Sequence, residues 1–237
     1  MTQSAQSSTP TAVIIGASRG LGLALAQEYL ARGWQVIGTV RPDSPPGALH
    51  RAAEASQGRL TVETVDIVHA DQIAALRQRL AGRRVDVLFV NAGVTNDPAE
   101  TIGQVSTEEF NRVMVTNALA PLRCVEELGG LVTPKGTIAV MSSGLGSVAN
   151  NVGGGWEVYR ASKAAVNTLM RSYAARQPAG GRTLLVIAPG WVRTDMGGPA
   201  AMLDISDSIP RVVDVVTAQA GKSGLQYLDY QGQTVPW

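Results

Sequence analysis

The chain has 237 residues, 45% of them hydrophobic and 16% charged, which is enough apolar material for one globular domain or two small ones. Its 20 basic and 19 acidic side chains leave a formal charge of +1, so nucleic acid and anionic membrane surfaces are poor candidates as partners. One cysteine and two histidines exclude an internal disulfide and a multi-histidine metal site, and we expect no bound metal.

The first ten residues are polar and serine-rich, without the charged start and apolar core of a signal peptide. We predict a disordered N-terminal tail over residues 1–10. No apolar run reaches the roughly 18 residues that a membrane-spanning helix requires. On these grounds we expect a cytoplasmic protein without a membrane anchor.

From Thr11 onwards, short apolar runs alternate with longer segments whose apolar residues are spaced by three and four. The runs lack polar alternation, as strands covered on both faces should, and the predicted strands are Ala12–Ile15, Gln35–Val40, Leu60–Val65, Val85–Val90, Gly136–Met141 and Thr183–Ala188. The longer segments predict crossover helices at Leu21–Arg32, Ala70–Gly82, Glu108–Leu128 and Tyr159–Arg176. No linker-like stretch divides this pattern. We therefore predict one α/β domain over residues 11–237, a Rossmann-type doubly wound parallel sheet flanked by helices on both faces.

A glycine-rich turn connects the first strand to the first helix. Strand, glycine turn and helix in this order are what a dinucleotide pyrophosphate requires, and the helix N-terminus attracts its phosphates. Gly16 permits a sharp exit from the strand, Gly20 lets the backbone approach the ligand, and Gly22 allows close packing. An ordinary tight turn is the alternative. The candidate cofactor-binding residues of this loop are Gly16, Ser18, Arg19, Gly20, Leu21 and Gly22.

The end of the second strand distinguishes between nicotinamide cofactors. A carboxylate there would bind the ribose hydroxyls of NAD and repel a phosphate, but this chain has Thr39-Val40-Arg41. Arg41, together with Ser18 and Arg19, can pair with a 2′-phosphate. The sequence therefore favours NADP, and NAD is less expected. The alternative for each arginine is a solvated surface charge.

Two further segments follow predicted strands. Asp66 and Ile67 are candidates to contact the adenine, and Asn91-Ala92-Gly93 ends the fourth strand where the cofactor should cross the sheet. Open α/β sheets bind ligands at this carboxyl edge. A plain turn role for Asp66 or Asn91 is the open alternative.

Tyr159 and Lys163 are four residues apart in a helical segment, so their side chains emerge on one face. An ammonium about 4 Å from a phenolate attracts it by roughly 4 kcal/mol at an effective dielectric near 20, or on the order of three pKa units before desolvation. We therefore expect the Tyr159 pKa to fall from about 10 toward neutral pH. The alternative is a half-buried tyrosine beside an exposed lysine.

Taken together, these motifs occur in the order typical of a known family. They are Gly16-x-x-x-Gly20-x-Gly22, Asn91-Ala92-Gly93, Asn117, Ser142-Ser143-x-x-Gly146, Tyr159-x-x-x-Lys163 and Pro189-Gly190. In them, and over essentially the whole of Thr11 to Trp237, the chain resembles the short-chain dehydrogenases/reductases. Segments such as Gly190–Gly198 and the ending Val235-Pro236-Trp237 look like the carbonyl-reductase branch of that family, near the Sniffer and C-factor proteins.

The resemblance implies a catalytic set of Asn117, Ser143, Tyr159 and Lys163. Tyr159 would donate a proton to a carbonyl oxygen as hydride arrives from the nicotinamide, and Ser143 would hydrogen-bond the same oxygen. Lys163 would lower the Tyr159 pKa and bind the nicotinamide ribose, while Asn117 would hold a water that links the lysine to solvent. Ser143 is preferred to Ser142 because the S-x-x-G spacing to Gly146 starts there.

The resemblance also assigns residues after the sixth strand. Pro189-Gly190 would turn the chain over the nicotinamide, and Val192 and Thr194 would contact its carboxamide or, for Thr194, the phosphates. Ser147 is a further candidate substrate contact. The segment 197–210 predicts a short lid, which suggests an open pocket for a small or medium uncharged substrate.

The sequence therefore favours an NADPH-dependent oxidoreductase that reduces an aldehyde or ketone to an alcohol. Two alternatives stay open. One is a cofactor-binding signalling protein of the C-factor type that acts through a partner, and the other is a biosynthetic tailoring ketoreductase. The resemblance further implies a homodimer or homotetramer.

Overall fold

The computed structural model describes residues 9–178 and 181–237, so the predicted tail lies outside the described residues except for Thr9 and Pro10. Seven parallel strands form one sheet in the order β3-β2-β1-β4-β5-β6-β7. The strands are β1 (Thr11–Ile15), β2 (Gln35–Val40), β3 (Leu60–Thr64), β4 (Val85–Val90), β5 (Val132–Met141), β6 (Thr183–Ala188) and β7 (Gly224–Asp229).

Helices cover both faces of this sheet. They are α1 (Gly20–Ala31), α2 (Ala48–Ala55), α3 (Ala70–Arg79), α4 (Thr107–Met114), α5 (Ala120–Leu128), α6 (Glu157–Ala175) and α7 (Ile205–Ala218). Side chains alternate along a strand, so in β1 Val13 and Ile15 pack with α3, α5 and α6, whereas Ala12 and Ile14 pack with α1, α2 and α7. Within the described ranges, no helix has the length and apolarity needed to cross a bilayer.

The strand order reverses at β1, which pairs with β2 on one side and with β4 on the other. Such a switch point opens a crevice at the carboxyl ends of the strands, where α/β sheets bind ligands. The predicted fold class, a Rossmann-type doubly wound parallel sheet with helices on both faces, is confirmed.

Three elements were not predicted: α2, α7 and β7. Helix α7 contains Pro210, a residue that normally interrupts a helix. Its start is nevertheless fixed by Asp204, whose amide donates to the Asp207 carboxylate, 3.0 Å away, in a reciprocal cap. The segment 197–210, predicted as a short lid, is irregular up to Asp204 and helical from Ile205.

The predicted helix over Glu108–Leu128 is in fact interrupted. A π-helical turn at Val115–Leu119 separates α4 from α5. Pro121 has no N–H, so the Asn117 carbonyl lacks the donor that an α-helix would place four residues further on. This local change of helix geometry lies at one of the predicted catalytic residues, and π-turns of this kind often occur at functional sites.

Candidate active site

A cleft of about 520 Å³ opens at the carboxyl edge of the sheet and brings together most of the predicted cofactor residues. Those that line it are Gly16, Ser18, Arg19, Gly20, Leu21, Arg41, Asp66, Ile67, Asn91, Ala92, Gly93, Tyr159, Lys163, Pro189 and Thr194. Gly22, Gly190 and Val192 do not line it; Gly22 and Val192 are buried, whereas Gly190 is exposed. The lining also includes unpredicted residues, among them Thr39, Arg112, Thr116, Asp195 and Met196.

The glycine turn is packed so closely that side chains do not fit at two positions. Gly16 has a φ of +84°, and a Cβ there would lie 2.8 Å from the Ala92 Cβ. A Cβ at Gly22 would overlap the Gly16 carbonyl oxygen and lie 2.5 Å from Asn91 Nδ2. The turn is also held from outside, because Asn91 Nδ2 donates to the Gly16 carbonyl at 2.9 Å and Thr39 Oγ1 accepts from the Gly16 amide at 2.9 Å. Asn91 thus supports the turn as well as lining the cleft.

Asp66 forms a turn and also lines the cleft. Its carboxylate accepts a hydrogen bond from the Val68 amide at 3.2 Å, and its own amide donates to Gln72 Oε1 at 2.8 Å. These bonds form a turn directly after β3, and this turn places Asp66 and the buried Ile67 on the cleft wall.

The two arginines predicted to meet a 2′-phosphate differ in their surroundings. Among the described residues, none forms a hydrogen bond or ion pair with the Arg41 guanidinium, which is exposed at the cleft. The Arg19 guanidinium is paired with the Asp195 carboxylate. Because these side chains are 76% and 80% exposed, the pair contributes at most about 1 kcal/mol, so an anion can compete for Arg19.

Helix α6 presents Tyr159 and Lys163 on its cleft-facing side, with Lys163 Nζ 5.7 Å from the centre of the Tyr159 ring. The ammonium is buried and donates to the Met141 carbonyl oxygen at 3.0 Å. A Cβ at Gly93 would lie 3.4 Å from Nζ, so the glycine after β4 leaves little spare room beside the ammonium.

Burial dominates the acidity of both groups. It lowers the pKa of Lys163 to about 8 and raises the pKa of Tyr159 to about 12. A hydrogen bond from Ser143 lowers the Tyr159 pKa and the neighbouring Tyr227 phenol raises it, but neither outweighs burial. The predicted fall of the Tyr159 pKa is therefore wrong, since desolvation of the phenolate is the largest cause of the shift and raises the pKa.

Ser143 lies two residues after the end of β5 and caps a short 3₁₀ turn over Gly144–Gly146, in which its hydroxyl accepts from the Leu145 amide at 3.1 Å. Its neighbour Ser142 lines the cleft, whereas Ser143 is not among the lining residues, and the Ser142 hydroxyl donates to Asn167 Oδ1 at 2.7 Å. The candidate substrate contact Ser147 is buried, and its hydroxyl accepts from the Asn150 amide at 3.1 Å. Ser147 is therefore a turn residue, and that prediction is wrong.

The Asn117 side chain is fully buried and fully hydrogen-bonded. Its Oδ1 accepts from the Val94 amide at 2.8 Å, while its Nδ2 donates to the Val94 carbonyl at 2.8 Å and to Ser162 Oγ at 2.9 Å. Ser162 Oγ in turn donates to the Tyr159 carbonyl at 2.7 Å. The side chain thus fastens the π-turn to α6, and both hydrogens of its amide group are already donated within the protein.

The loop after β6 closes one end of the cleft. Gly190 has a φ of +86°, and a Cβ there would lie 2.5 Å from Leu203 Cδ1. The Pro189 carbonyl accepts from Ser208 Oγ of α7 at 2.6 Å, which anchors the turn. Thr194 lines the cleft, but its Oγ1 also accepts from the Gly197 amide at 3.0 Å.

Two aromatic residues near Tyr159 were missed. The Trp156 ring packs edge-on against the Tyr159 ring, with centroids 5.8 Å apart, from a left-handed backbone at a φ of +54°. Tyr227, on the unpredicted strand β7, donates its phenolic hydrogen to the Ser143 carbonyl. The glycines before Trp156 signalled an unusual turn, whereas nothing local in the sequence signalled Tyr227.

The fold and cleft define a Rossmann-type α/β protein with a ligand crevice at the switch point of its sheet. More specifically, the chain belongs to the short chain dehydrogenase family, whose model matches residues 10–202. The predicted family is confirmed.

Relatives and solved structures agree with this assignment. The C-signal protein of Myxococcus xanthus is 37% identical over 155 residues, which are 65% of this chain and 93% of that protein. A short-chain dehydrogenase/reductase from Burkholderia multivorans, crystallised with bound NADP, is 56% identical at a TM-score of 0.95, covering 97% of this chain and all of the other.

Two named carbonyl reductases also share the fold. The enzyme from Pseudomonas aeruginosa in complex with NADP is 38% identical at a TM-score of 0.89, and carbonyl reductase Sniffer of D. melanogaster is 27% identical at 0.87. Each alignment covers 97% of this chain and 100% of the other. The predicted resemblance to this branch is thereby confirmed.

Proposed function

We propose that this protein is an NADPH-dependent reductase that converts an aldehyde or ketone to an alcohol. The observation that carries the proposal is that Tyr159 and Lys163 line the same cleft as the glycine turn. A proton donor and a dinucleotide-binding turn in one crevice are what hydride transfer to a carbonyl group requires.

The residues of the cleft fit NADPH. Gly16 and Gly22 leave no room for side chains, as a turn that admits a pyrophosphate should. The exposed Arg41 replaces the acid that would select NAD, and Arg19 can turn from Asp195 to a phosphate. The bound NADP of the Burkholderia and Pseudomonas proteins supports the same choice.

Tyr159 acts as the proton donor in this proposal. When bound, NADPH supplies the hydride for the carbonyl carbon. Since burial raises the Tyr159 pKa, the phenol is protonated at neutral pH and ready to donate to the carbonyl oxygen. The Ser143 hydroxyl, which lowers the Tyr159 pKa, would stabilise the charge that develops on the same oxygen.

Lys163 and Asn117 return the proton to Tyr159. The buried ammonium stabilises the phenolate that remains after proton transfer. Because its pKa is lowered to about 8, Lys163 releases and regains a proton more readily than an exposed lysine at neutral pH. A water on the Asn117 carbonyl, which lacks an α-helical donor, would connect Lys163 to solvent.

The cleft surface favours an uncharged substrate of small or medium size. Met196 lines the cleft together with Tyr159, and the Trp156 ring packs against the Tyr159 ring. These apolar surfaces would pack against the carbon substituents of the carbonyl compound, and they would leave a charged substituent poorly solvated.

NADPH oxidation measured with a panel of uncharged aldehydes and ketones tests this function. We expect Tyr159→Phe to lower kcat at least about 100-fold while NADPH still binds. Tyr173→Phe is the matched control, because Tyr173 is a buried tyrosine 14 residues further along the same helix, where it packs in the core and does not line the cleft. Turnover that persists unchanged in Tyr159→Phe would disprove the mechanism.

A second candidate function is signalling through a partner protein, which the similarity to C-signal favours. In that case the chain would bind NADPH without turning over any carbonyl compound. Recovery of one stoichiometric partner, with equal yield from the wild type and from Tyr159→Phe, would support signalling over catalysis.

We also propose a homodimer or homotetramer that assembles through α4, the π-turn and α6. An apolar groove of about 460 Å³ lies there, lined by Met114, Val115, Ala118, Leu119, Ala165, Thr168 and Leu169. Leu119 and Leu169 are 42% and 38% exposed, and burying them against a second copy would remove apolar surface from water.

A further inference from the structure

A buried polar network lies directly behind the turn that carries Ser143. Ser142 Oγ donates to Asn167 Oδ1 at 2.7 Å, and Asn167 Nδ2 donates to the Gly146 carbonyl at 3.1 Å. Both side chains are buried, so each hydrogen bond is shielded from water. Asn167 therefore ties the end of β5 and the far end of the turn to α6.

Tyr227 holds the other end of the same turn. Its phenol donates to the Ser143 carbonyl across 84 residues of sequence, and its side chain is buried. The ring packs against Trp237 with centroids 5.2 Å apart, and the Trp237 carbonyl accepts from the Ala149 amide at 3.0 Å. Strand β7 and the C-terminal residues thus buttress the segment 143–149.

The turn packs closely against helix α6. A Cβ at Gly146 would lie 2.9 Å from Lys163 Cβ and 3.0 Å from Asn167 Nδ2, so the backbone of the turn rests directly on the helix that carries Tyr159. Backbone carbonyls of Ser143 and Gly146 are therefore fixed from two sides, by β7 and by α6.

We propose that Tyr227 and Asn167 are positioning residues for carbonyl reduction, holding the turn so that the Ser143 hydroxyl stays against the Tyr159 phenol. The proposal rests on the proposed function, in which these two hydroxyl groups contact the substrate oxygen. Hydrogen-bond donors assist such a reaction only when they are aimed in advance at the oxygen that gains charge. We call the hydrogen bonds of Tyr227 and Asn167 to this turn the clamp. Loss of either bond leaves Ser143 in place, but its hydroxyl is then less well directed at the substrate oxygen.

Tyr227→Phe tests the proposal, because it removes one hydroxyl and keeps the packing against Trp237. We expect kcat to fall about tenfold, the equivalent of ~1.4 kcal/mol, with the Kd for NADPH unchanged. Asn167→Leu should do the same. Tyr29→Phe is the matched control, since Tyr29 is a buried tyrosine remote from the cleft whose hydroxyl has no hydrogen-bond partner within the described chain.

A double-mutant cycle separates positioning from general support of the fold. In a Ser143→Ala background, Tyr227→Phe should cost less than twofold in kcat, because there is no longer a hydroxyl to aim. An undiminished cost in that background, or a wild-type kcat in Tyr227→Phe alone, would overturn the proposal.

Hydrogen exchange of the amides in 143–147 tests the clamp without any substrate. We expect faster exchange in Tyr227→Phe than in Tyr29→Phe, and equal exchange would overturn the proposal. If the wild type reduces no carbonyl compound, the proposed function fails, and unchanged exchange would then disprove the clamp separately. If exchange is faster in Tyr227→Phe, Tyr227 still holds the turn, even though the proposed function has failed.

Discussion

The buried ammonium of Lys163 donates a hydrogen bond to the Met141 carbonyl oxygen, 3.0 Å away at the end of β5. This contact ties the helix that carries Tyr159 to the centre of the sheet. It does not remove the cost of burying a charge, and the Lys163 pKa is accordingly lowered to about 8.

That lowered pKa predicts a pH-dependent stability difference between the wild type and Lys163→Met. Below pH 8 the wild type carries a buried charge that the unfolded chain keeps in water. As pH rises from 8 to 10.5, folded Lys163 loses its proton before unfolded lysine does, so the wild type gains stability and the variant does not.

The stability of Lys163→Met relative to the wild type should therefore fall by ~3 kcal/mol across this range. Denaturant unfolding at several pH values measures it. Lys222→Met, at an exposed lysine, is the control and should show no such trend. A difference that does not change with pH would contradict the assignment of a lowered pKa to Lys163.

Removal of Arg41 should discriminate between the two nicotinamide cofactors. In Arg41→Ala we expect the Kd for NADPH to rise about tenfold or more, because a charge-assisted contact with the 2′-phosphate is lost. The Kd for NADH should be unchanged. Fluorescence titration measures both, with Arg51→Ala as the control at an exposed arginine of α2. Equal weakening for both cofactors would refute the 2′-phosphate role.

Gly22→Ala should impair both the fold and cofactor binding. The added methyl group would overlap the Gly16 carbonyl, so either α1 or the glycine turn must shift. We expect a loss of about 1–3 kcal/mol in unfolding free energy, together with weaker NADPH binding. Gly130→Ala is the control, because a Cβ there meets nothing within 4 Å. Normal NADPH affinity in Gly22→Ala would show that the turn tolerates displacement.

A charge in the apolar groove should dissociate the proposed oligomer. Leu119→Asp and Leu169→Asp each place a carboxylate where a second copy would bury a leucine. Sedimentation should show the wild type as a dimer or tetramer and both variants as monomers. Ile102→Asp, at another exposed apolar residue, should leave the assembly intact. A monomeric wild type would rule out the interface.

Local patterns determined much of this protein from sequence alone. A strand followed by Gly16-x-x-x-Gly20-x-Gly22 and a helix is a continuous segment, so its geometry follows from neighbouring residues. The four-residue spacing of Tyr159 and Lys163 fixed their common helix face for the same reason. The absence of an acidic residue at the end of β2 follows directly from the sequence once the end of that strand has been located.

Only the tertiary structure decided the properties that depend on burial and on distant contacts. The direction of the Tyr159 pKa shift follows from how deeply the phenol is covered, which no spacing of residues encodes. Tyr227 meets Ser143 from 84 positions away, and Asp195 reaches Arg19 from 176. Desolvation and long-range hydrogen bonds arise from the packed arrangement of all the strands and helices. They can therefore be determined only from the tertiary structure.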